Sequence, residues 1–222
     1  MTEMYPQVVG HEIVGEVIRV GDKVDKNIKI GDIVGVGAQC DSCQDCEYCD
    51  KGELSYTCVS VISADAYVGS EQYCNAGHCG TYAGKFFRDT PAKDQKSFGG
   101  YANYWRGPSR FVIPIPDNLD PAEAAPMLCG GATVYSPLVQ YGAGKAAKDV
   151  GIVGLGGLGH FAVIFAKALG ANVTVISHTE SKKADAEKMG ATTFIATGSD
   201  TANAVKPHRR SLDLIISTTS TF

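Results

Sequence analysis

Residues 150–170 constrain this chain more than any other stretch. They read V-G-I-V-G-L-G-G-L-G-H-F-A-V-I-F-A-K-A-L-G. Val150, Ile152 and Val153 predict a short buried strand. Gly154, Gly156 and Gly159 follow as G-x-G-x-x-G, and Leu158, Phe161, Ala162, Phe165 and Leu169 recur at helical spacing until Gly170 ends the helix. Strand, glycine turn and helix in that order are the context of a dinucleotide-binding fingerprint; a glycine turn without them would be an ordinary α/β connection. Gly154 permits the tight turn, Gly156 lets the backbone approach a pyrophosphate, and Gly159 lets the helix pack close on the strand. The helix start offers free N–H groups to the phosphates. Leu155, Gly157 and Leu158 complete the expected cofactor loop.

The flanking segments divide the chain in two. After the turn, residues 172–177, 193–196 and 212–217 read as strands, and 182–189 as a helix closed by Gly190. Strands and helices alternating at this spacing predict a parallel sheet covered by helices. Before the turn, residues 8–20 and 28–37 are short strands between glycine turns, with Gly15 expected at a bulge or a close approach. They suggest a β-rich, barrel-like domain. Residues 101–115 return to strand character, with Pro114 and Pro116 marking an edge or an end. Asp120-Pro121 starts a helix with an acidic cap and a proline at its first position. Cys129-Gly130-Gly131 interrupts it, and a second helix is expected from 133 to 140. The boundary is placed near Gly130, giving domains 1–130 and 131–222.

Composition removes several classes of function. The chain has 222 residues, 44% hydrophobic, with a net charge of -4. With a pI near 5.7, it is not expected to bind nucleic acid. No apolar run reaches the roughly 20 residues that span a bilayer, and the first residues lack the basic and apolar regions of a signal peptide. No membrane partner is expected. Eight cysteines without a secretory signal point to a reducing, cytoplasmic setting, where clustered thiols bind metal more often than they pair.

The cysteines carry the second signal. Cys40, Cys43, Cys46 and Cys49 recur every third residue, and Cys58 follows. Four thiolates on a short irregular loop can close a tetrahedral zinc site. Five cysteines compete for four places, so the register stays open. An iron–sulfur cluster or free thiols are the alternatives, although a ferredoxin run places its last cysteine sooner and follows it with proline. Residues 59–100 read as a loop insertion, in which Cys74, His78 and Cys79 resemble ligand spacing only loosely. His11-Glu12 near the first strand pairs a good zinc donor with a carboxylate. Taken alone, His11 would be a structural histidine and Cys129 a buried core thiol.

In one order, the chain carries G-H-E-I-V-G-E-V, the cysteine loop, G-G-Y-A, A-A-P-M-L-C-G-G-A-T-V-Y-S-P-L and G-I-V-G-L-G-G-L-G-H. It resembles the zinc-dependent medium-chain alcohol dehydrogenases, and within them the cinnamyl alcohol dehydrogenase branch of plants and fungi. The resemblance implies a GroES-like β-rich catalytic domain followed by a partial Rossmann doubly wound parallel sheet. It implies a catalytic zinc on His11 and Cys129, with Glu12 as an alternate or supporting ligand. It implies a structural zinc on Cys43, Cys46, Cys49 and Cys58, with Cys40 as the extra thiol and a last gap one residue longer than the family's. Thr133 and Thr218 match cofactor contacts. Zinc would polarise an aldehyde oxygen while NADPH delivers hydride, or the reverse for a primary alcohol. An NAD site places an acid at the end of the second strand; here stand Ser177, His178 and Thr179, and the nearest acid, Glu180, lies further along the loop. Lys182 and Lys183 follow, the alternative being that these lysines are only a solvated helix face. Hydroxyls and cations there suit the 2′-phosphate of NADP(H). The family's first catalytic-zinc cysteine, its proton relay and its last strands find no match, so both ends are expected to be truncated. The chain is then expected to be a weak or incomplete form, or a non-catalytic zinc- and nucleotide-binding remnant. The full-length form is expected to be a homodimer.

Overall fold

The computed structural model describes residues 5–50, of Asp50 the backbone alone, and 71–219. The chain forms two compact units, Met1–Cys129 and Gly130–Phe222.

In the first unit, β1 (Ile13–Glu16) and β2 (Ile33–Val36) pair antiparallel in unbroken register, Ile13 opposite Val36 and Glu16 opposite Ile33. Gly15 therefore makes no bulge, and a Cβ on it would meet nothing within 4 Å, so the expected special role for it is not found. The bulge lies instead in β3 (Gln39–Ser42), between Gln39 and Asp41, where β3 pairs with β4 (His78–Gly80). The short helix α1 (Glu47–Asp50) lies between them in sequence. The third strand on β2, β5, is only Ile113–Pro114. The strand character expected over 101–115 stops short because Gly107 and Pro108 interrupt the run, while Tyr101 and Tyr104 point into solvent. The core gathers Val36, Phe111 and Ile115, and Leu128 packs its methyls where a Gly35 side chain would be. Asp120 caps α2 (Pro121–Ala124) through Oδ1, which accepts from the Ala122 N–H at 2.7 Å.

The second unit starts with α3 (Gly130–Gln140), longer at its start than the 133–140 expected. Then β6 (Asp149–Val153), α4 (Gly157–Ala168), β7 (Asn172–Ser177), α5 (Lys183–Lys188), β8 (Thr193–Ala196), α6 (Thr201–Val205) and β9 (Leu214–Ser217) follow. The strands form one parallel sheet in the order β8-β7-β6-β9. Val150, Ile152, Val173 and Val175 are fully buried between helices, as the continuous apolar character of parallel strands requires. The helices α4 and α5 both end at glycines with positive φ. At Gly170 the N–H of Ala171 reaches Ala166 O and that of Gly170 reaches Lys167 O; Gly190 repeats the motif at the end of α5. Among the described residues no helix is long and apolar enough to cross a membrane.

Candidate functional site: a glycine turn and two donor clusters

The turn between β6 and α4 has the geometry its glycines predict. Gly154 sits at φ +88, a conformation that side chains resist, and its N–H donates to Ile176 O at 2.8 Å. A Cβ on Gly159 would run into the Gly154 carbonyl, whereas one on Gly156 would meet nothing within 4 Å. The turn is thus tight where helix meets strand and open where a phosphate would approach. Gly156, Gly157 and Leu158 are exposed, and Leu155 is buried beneath them. The first bond within α4 is from the His160 N–H to Gly156 O, so the amides of the first helical turn have no intrahelical partner.

Five other cofactor residues are expected: Thr218, Ser177, His178, Lys182 and Thr133. Thr218 follows β9, and its hydroxyl donates to Val153 O at 2.9 Å and Gly154 O at 3.1 Å. It braces the turn rather than standing free. Ser177 ends β7 and is buried; His178 beside it is exposed. Lys182 swings back so that Nζ donates to Leu155 O at 2.9 Å, which sets its charge against the glycine turn. Thr133 lies exposed early in α3.

In the first unit, the ligand atoms of Cys43, Cys46, Cys49 and Cys74 all lie within 4.8 Å of one another. The Sγ of Cys49 is 3.8 Å from that of Cys43 and 3.6 Å from that of Cys46. Zinc–sulfur bonds of about 2.3 Å in a tetrahedron put sulfurs about 3.8 Å apart, so the donor set fits zinc. The Cys43 N–H donates to Cys74 Sγ at 3.4 Å. Three of the four thiols come from the spaced run and α1. The fourth corrects the reading of Cys74 as part of an unrelated loop. Cys58, expected in that place, lies outside the described residues. The thiols are electrostatically unequal. Cys46 is lowered to about 6, chiefly by the N–H groups of Asn75 and Cys49, whereas burial pushes Cys49 up to about 12. Cys40 is not in this set. It is buried with Cys79, sulfur to sulfur at 3.8 Å, and its hydrogen bond to Cys79 raises its pKa.

A second cluster brings together His11, Glu12 and Cys129, again within 4.8 Å. His11 and Cys129 are half-buried and Glu12 is exposed. Cys129 sits where the 3-10 turn Ala125–Leu128 ends, with backbone angles outside both helix and strand. His11 lies tilted against Tyr82, ring centroids 5.7 Å apart, and follows Gly10, whose φ is +104. Gly99 and Gly100 hold this segment: Gly99 N–H donates to Val8 O, Gly100 N–H to Gly10 O and Tyr101 N–H to Val9 O. A Cβ on Gly99 would collide with the backbone of Val9 and Gly10, and one on Gly100 with Ile13. Read in sequence, these glycines close the loop of residues 59–100 and open the G-G-Y-A motif. Their task is to let two distant backbones touch beside His11, and the doubled glycine is the signal that could have pointed to it.

Known proteins share both units. The family described as "Alcohol dehydrogenase GroES-like domain" matches residues 1–117, and that described as "Zinc-binding dehydrogenase" matches residues 157–221. The NADP-dependent alcohol dehydrogenase 6 of Saccharomyces cerevisiae is 44% identical over 192 residues, covering 86% of this chain and 47% of its own length. The solved cinnamyl alcohol dehydrogenase of Sorghum bicolor is 40% identical with a TM-score of 0.81, covering 99% of this chain and 56% of that one. The cinnamyl alcohol dehydrogenase structure from Helicobacter pylori, solved with NADP(H), is 36% identical with a TM-score of 0.75, covering 98% and 54%. The chain spans about half the length of the curated relatives it matches.

Proposed function

The chain belongs to the alcohol dehydrogenase family that joins a GroES-like domain to a zinc-binding dehydrogenase domain, and on that premise we propose a zinc-dependent oxidoreductase that moves hydride between NADP(H) and a primary alcohol or aldehyde, aromatic or aliphatic. The observation that carries this reading is the convergence of His11, Glu12 and Cys129. A catalytic zinc takes three protein donors and keeps a fourth position open; four thiolates leave none. The first cluster is therefore the proposed catalytic centre. Cys43, Cys46, Cys49 and Cys74 are the proposed structural one. In this reading residues 1–130 are the catalytic domain and 131–222 the nucleotide-binding domain.

The chemistry these groups supply when bound is Lewis-acid polarisation of the carbonyl oxygen and hydride from the nicotinamide. The chain's own residues bind and orient. Residues 154–159 admit the pyrophosphate to the open face of Gly156, against the amides of the first turn of α4. Ser177, His178 and Lys182 stand where an NAD site would carry an acid, and Lys182 is already drawn to the turn. That charge pattern supports NADP(H), and the names of the yeast and Helicobacter relatives agree with it. Thr133 and Thr218 are proposed as further cofactor contacts. Cytoplasmic residence and a homodimeric full-length form complete the proposal; the acidic, thiol-rich composition supports the former.

The exposure of Glu12 favours a weaker form of the same reading. With a solvated carboxylate as third donor, residues 1–222 by themselves turn over slowly, or bind zinc and nucleotide without turnover. The test is to assay the folded chain for NADPH oxidation with cinnamaldehyde and with aliphatic aldehydes, alongside calorimetric titration with NADPH and NADH. Tighter NADH than NADPH binding sinks the cofactor assignment. Turnover of roughly 1–1000 per second sinks the weak form and leaves the oxidoreductase.

A further inference from the structure

Two charged side chains outside both donor sets converge on the thiol loop. Glu71 is 1% exposed and opens the 3-10 turn Glu71–Tyr73, and the Cys74 N–H donates to its carbonyl at 3.1 Å. Glu71 therefore starts the turn that delivers Cys74. Arg110, from the turn Ser109–Phe111, donates through Nε to Glu71 Oε1 and through Nη2 to Cys49 O at 2.6 Å. Lys26 Nζ donates to the carbonyls of Arg110 and Val112 at 2.7 and 3.1 Å, fixing the backbone from which the guanidinium extends. Gln39 Nε2 ties Glu71 O to β3 at 3.2 Å.

A buried ion pair is a weak source of stability, because desolvation offsets most of its attraction. Here Glu71 Oε2 also finds no hydrogen-bond partner among the described residues. What the pair does supply is geometry. The guanidinium is a rigid fork. One prong grips the arm that carries Cys49, and the other grips the side chain that begins the arm of Cys74. These arms lie far apart in sequence, and among the described residues no strand pairing reaches either sulfur.

We propose that Arg110 and Glu71 are positioning residues for the thiol centre, holding the Cys49 and Cys74 arms at metal-binding separation. The inference rests on the reading of Cys43, Cys46, Cys49 and Cys74 as zinc ligands. Partners that orient ligands in this way are worth about 10–100-fold in metal affinity.

The experiment uses the whole chain in a His11→Ala background, so that zinc comes from the thiol centre. Metal content is measured first, and about one zinc per chain is expected. A folded, reduced parent without zinc overturns the ligand reading and the inference with it. In a zinc-bearing parent, transfer of zinc to a chromogenic chelator is timed for Arg110→Met, Arg110→Lys, Glu71→Gln and Ile115→Ala, well below each melting midpoint. Arg110→Met should release zinc about 10–100-fold faster. Arg110→Lys keeps the charge but not the fork, and should also release faster. Ile115→Ala opens a cavity elsewhere in the same unit and should lower the melting temperature while leaving release unchanged. If Arg110→Met does not fold, Arg110→Lys and Glu71→Gln decide. Parental release rates in those two variants, or an equal acceleration in Ile115→Ala, overturn the assignment.

Discussion

Replacing Gly159 with alanine tests the glycine turn most directly. The added Cβ would strike the Gly154 carbonyl oxygen and stand 3.0 Å from its carbon and 3.3 Å from Thr218 Oγ1. Carbon pairs rest at about 3.5–4.0 Å, so α4 must back away from β6 by about half an ångström or more. Neither neighbour yields easily. Gly154 is tied to Ile176 O through its N–H, and its oxygen accepts from Thr218. Overpacking of this kind costs about 1–3 kcal/mol, while alanine's helix propensity returns about 1 kcal/mol. The net loss is about 1–2 kcal/mol in the worse half of that range, or roughly 4–8 °C of melting temperature per kcal/mol for a unit of this size. Gly156→Ala is the matched control. Its Cβ meets nothing within 4 Å and its φ of -103 suits any residue, so stability should change by about 0.5 kcal/mol at most. NADPH binding should nevertheless weaken about tenfold or more, because the methyl takes the space of the pyrophosphate. Calorimetric melting and NADPH titration of both variants read the two effects separately. A Gly159→Ala protein that melts at or above the parent refutes the close approach, and a Gly156→Ala protein with parental NADPH affinity refutes the placement of the phosphates.

Three further outcomes are expected. Cys74→Ser should abolish the tightly held zinc of the thiol centre while Cys58→Ser retains it, read by metal analysis of reduced protein; the opposite pattern would restore Cys58 as the fourth ligand. Zinc retention should fall with acid. Cys49, pushed up to about 12, must release a proton to bind, so affinity rises with pH above about 6; below that, protonation of Cys46, lowered to about 6, steepens the loss. Equal zinc content after dialysis at pH 8 and pH 5 would contradict this. Thr218→Val removes a hydroxyl that serves two carbonyls of the glycine turn and should cost about 1 kcal/mol together with NADPH affinity, whereas Thr218→Ser should restore both; an unchanged melt for the valine variant counts against the brace.

The second unit was almost wholly legible in sequence because its signals are local. Gly154 and Gly159 sit within one turn of the strand and helix they join, and Gly170 and Gly190 end helices by their own backbone conformation. The thiol cluster was legible only where its ligands are neighbours. Cys43, Cys46 and Cys49 announce themselves by spacing; Cys74 joins them because the chain returns through the turn after Glu71, whereas spacing left the fourth place open and the family resemblance put Cys58 there. Gly99 and Gly100 look like any loop until the backbone of residues 8–10 is laid against them. The overlong strand at 101–115 shows the converse error. Its side chains have β character, but pairing is a property of two segments, and the register supports only Ile113–Pro114.

The order β8-β7-β6-β9 also implies an order of assembly. Val150 pairs on one side with Val173, just across α4, and on the other with Leu214, beyond two more strands and their helices. The second closure spans nearly three times as much chain, an added entropic cost of roughly 1 kcal/mol. The β6-α4-β7 crossover unit of parallel strands is therefore the natural nucleus, and β9 is the last strand to dock. Once docked, it fastens the glycine turn through Thr218, so that brace on the turn forms only when β9 is in place. Until then Ile215 and Ile216 lie on an unpaired apolar strand, the segment of this unit through which two nascent copies would most readily meet.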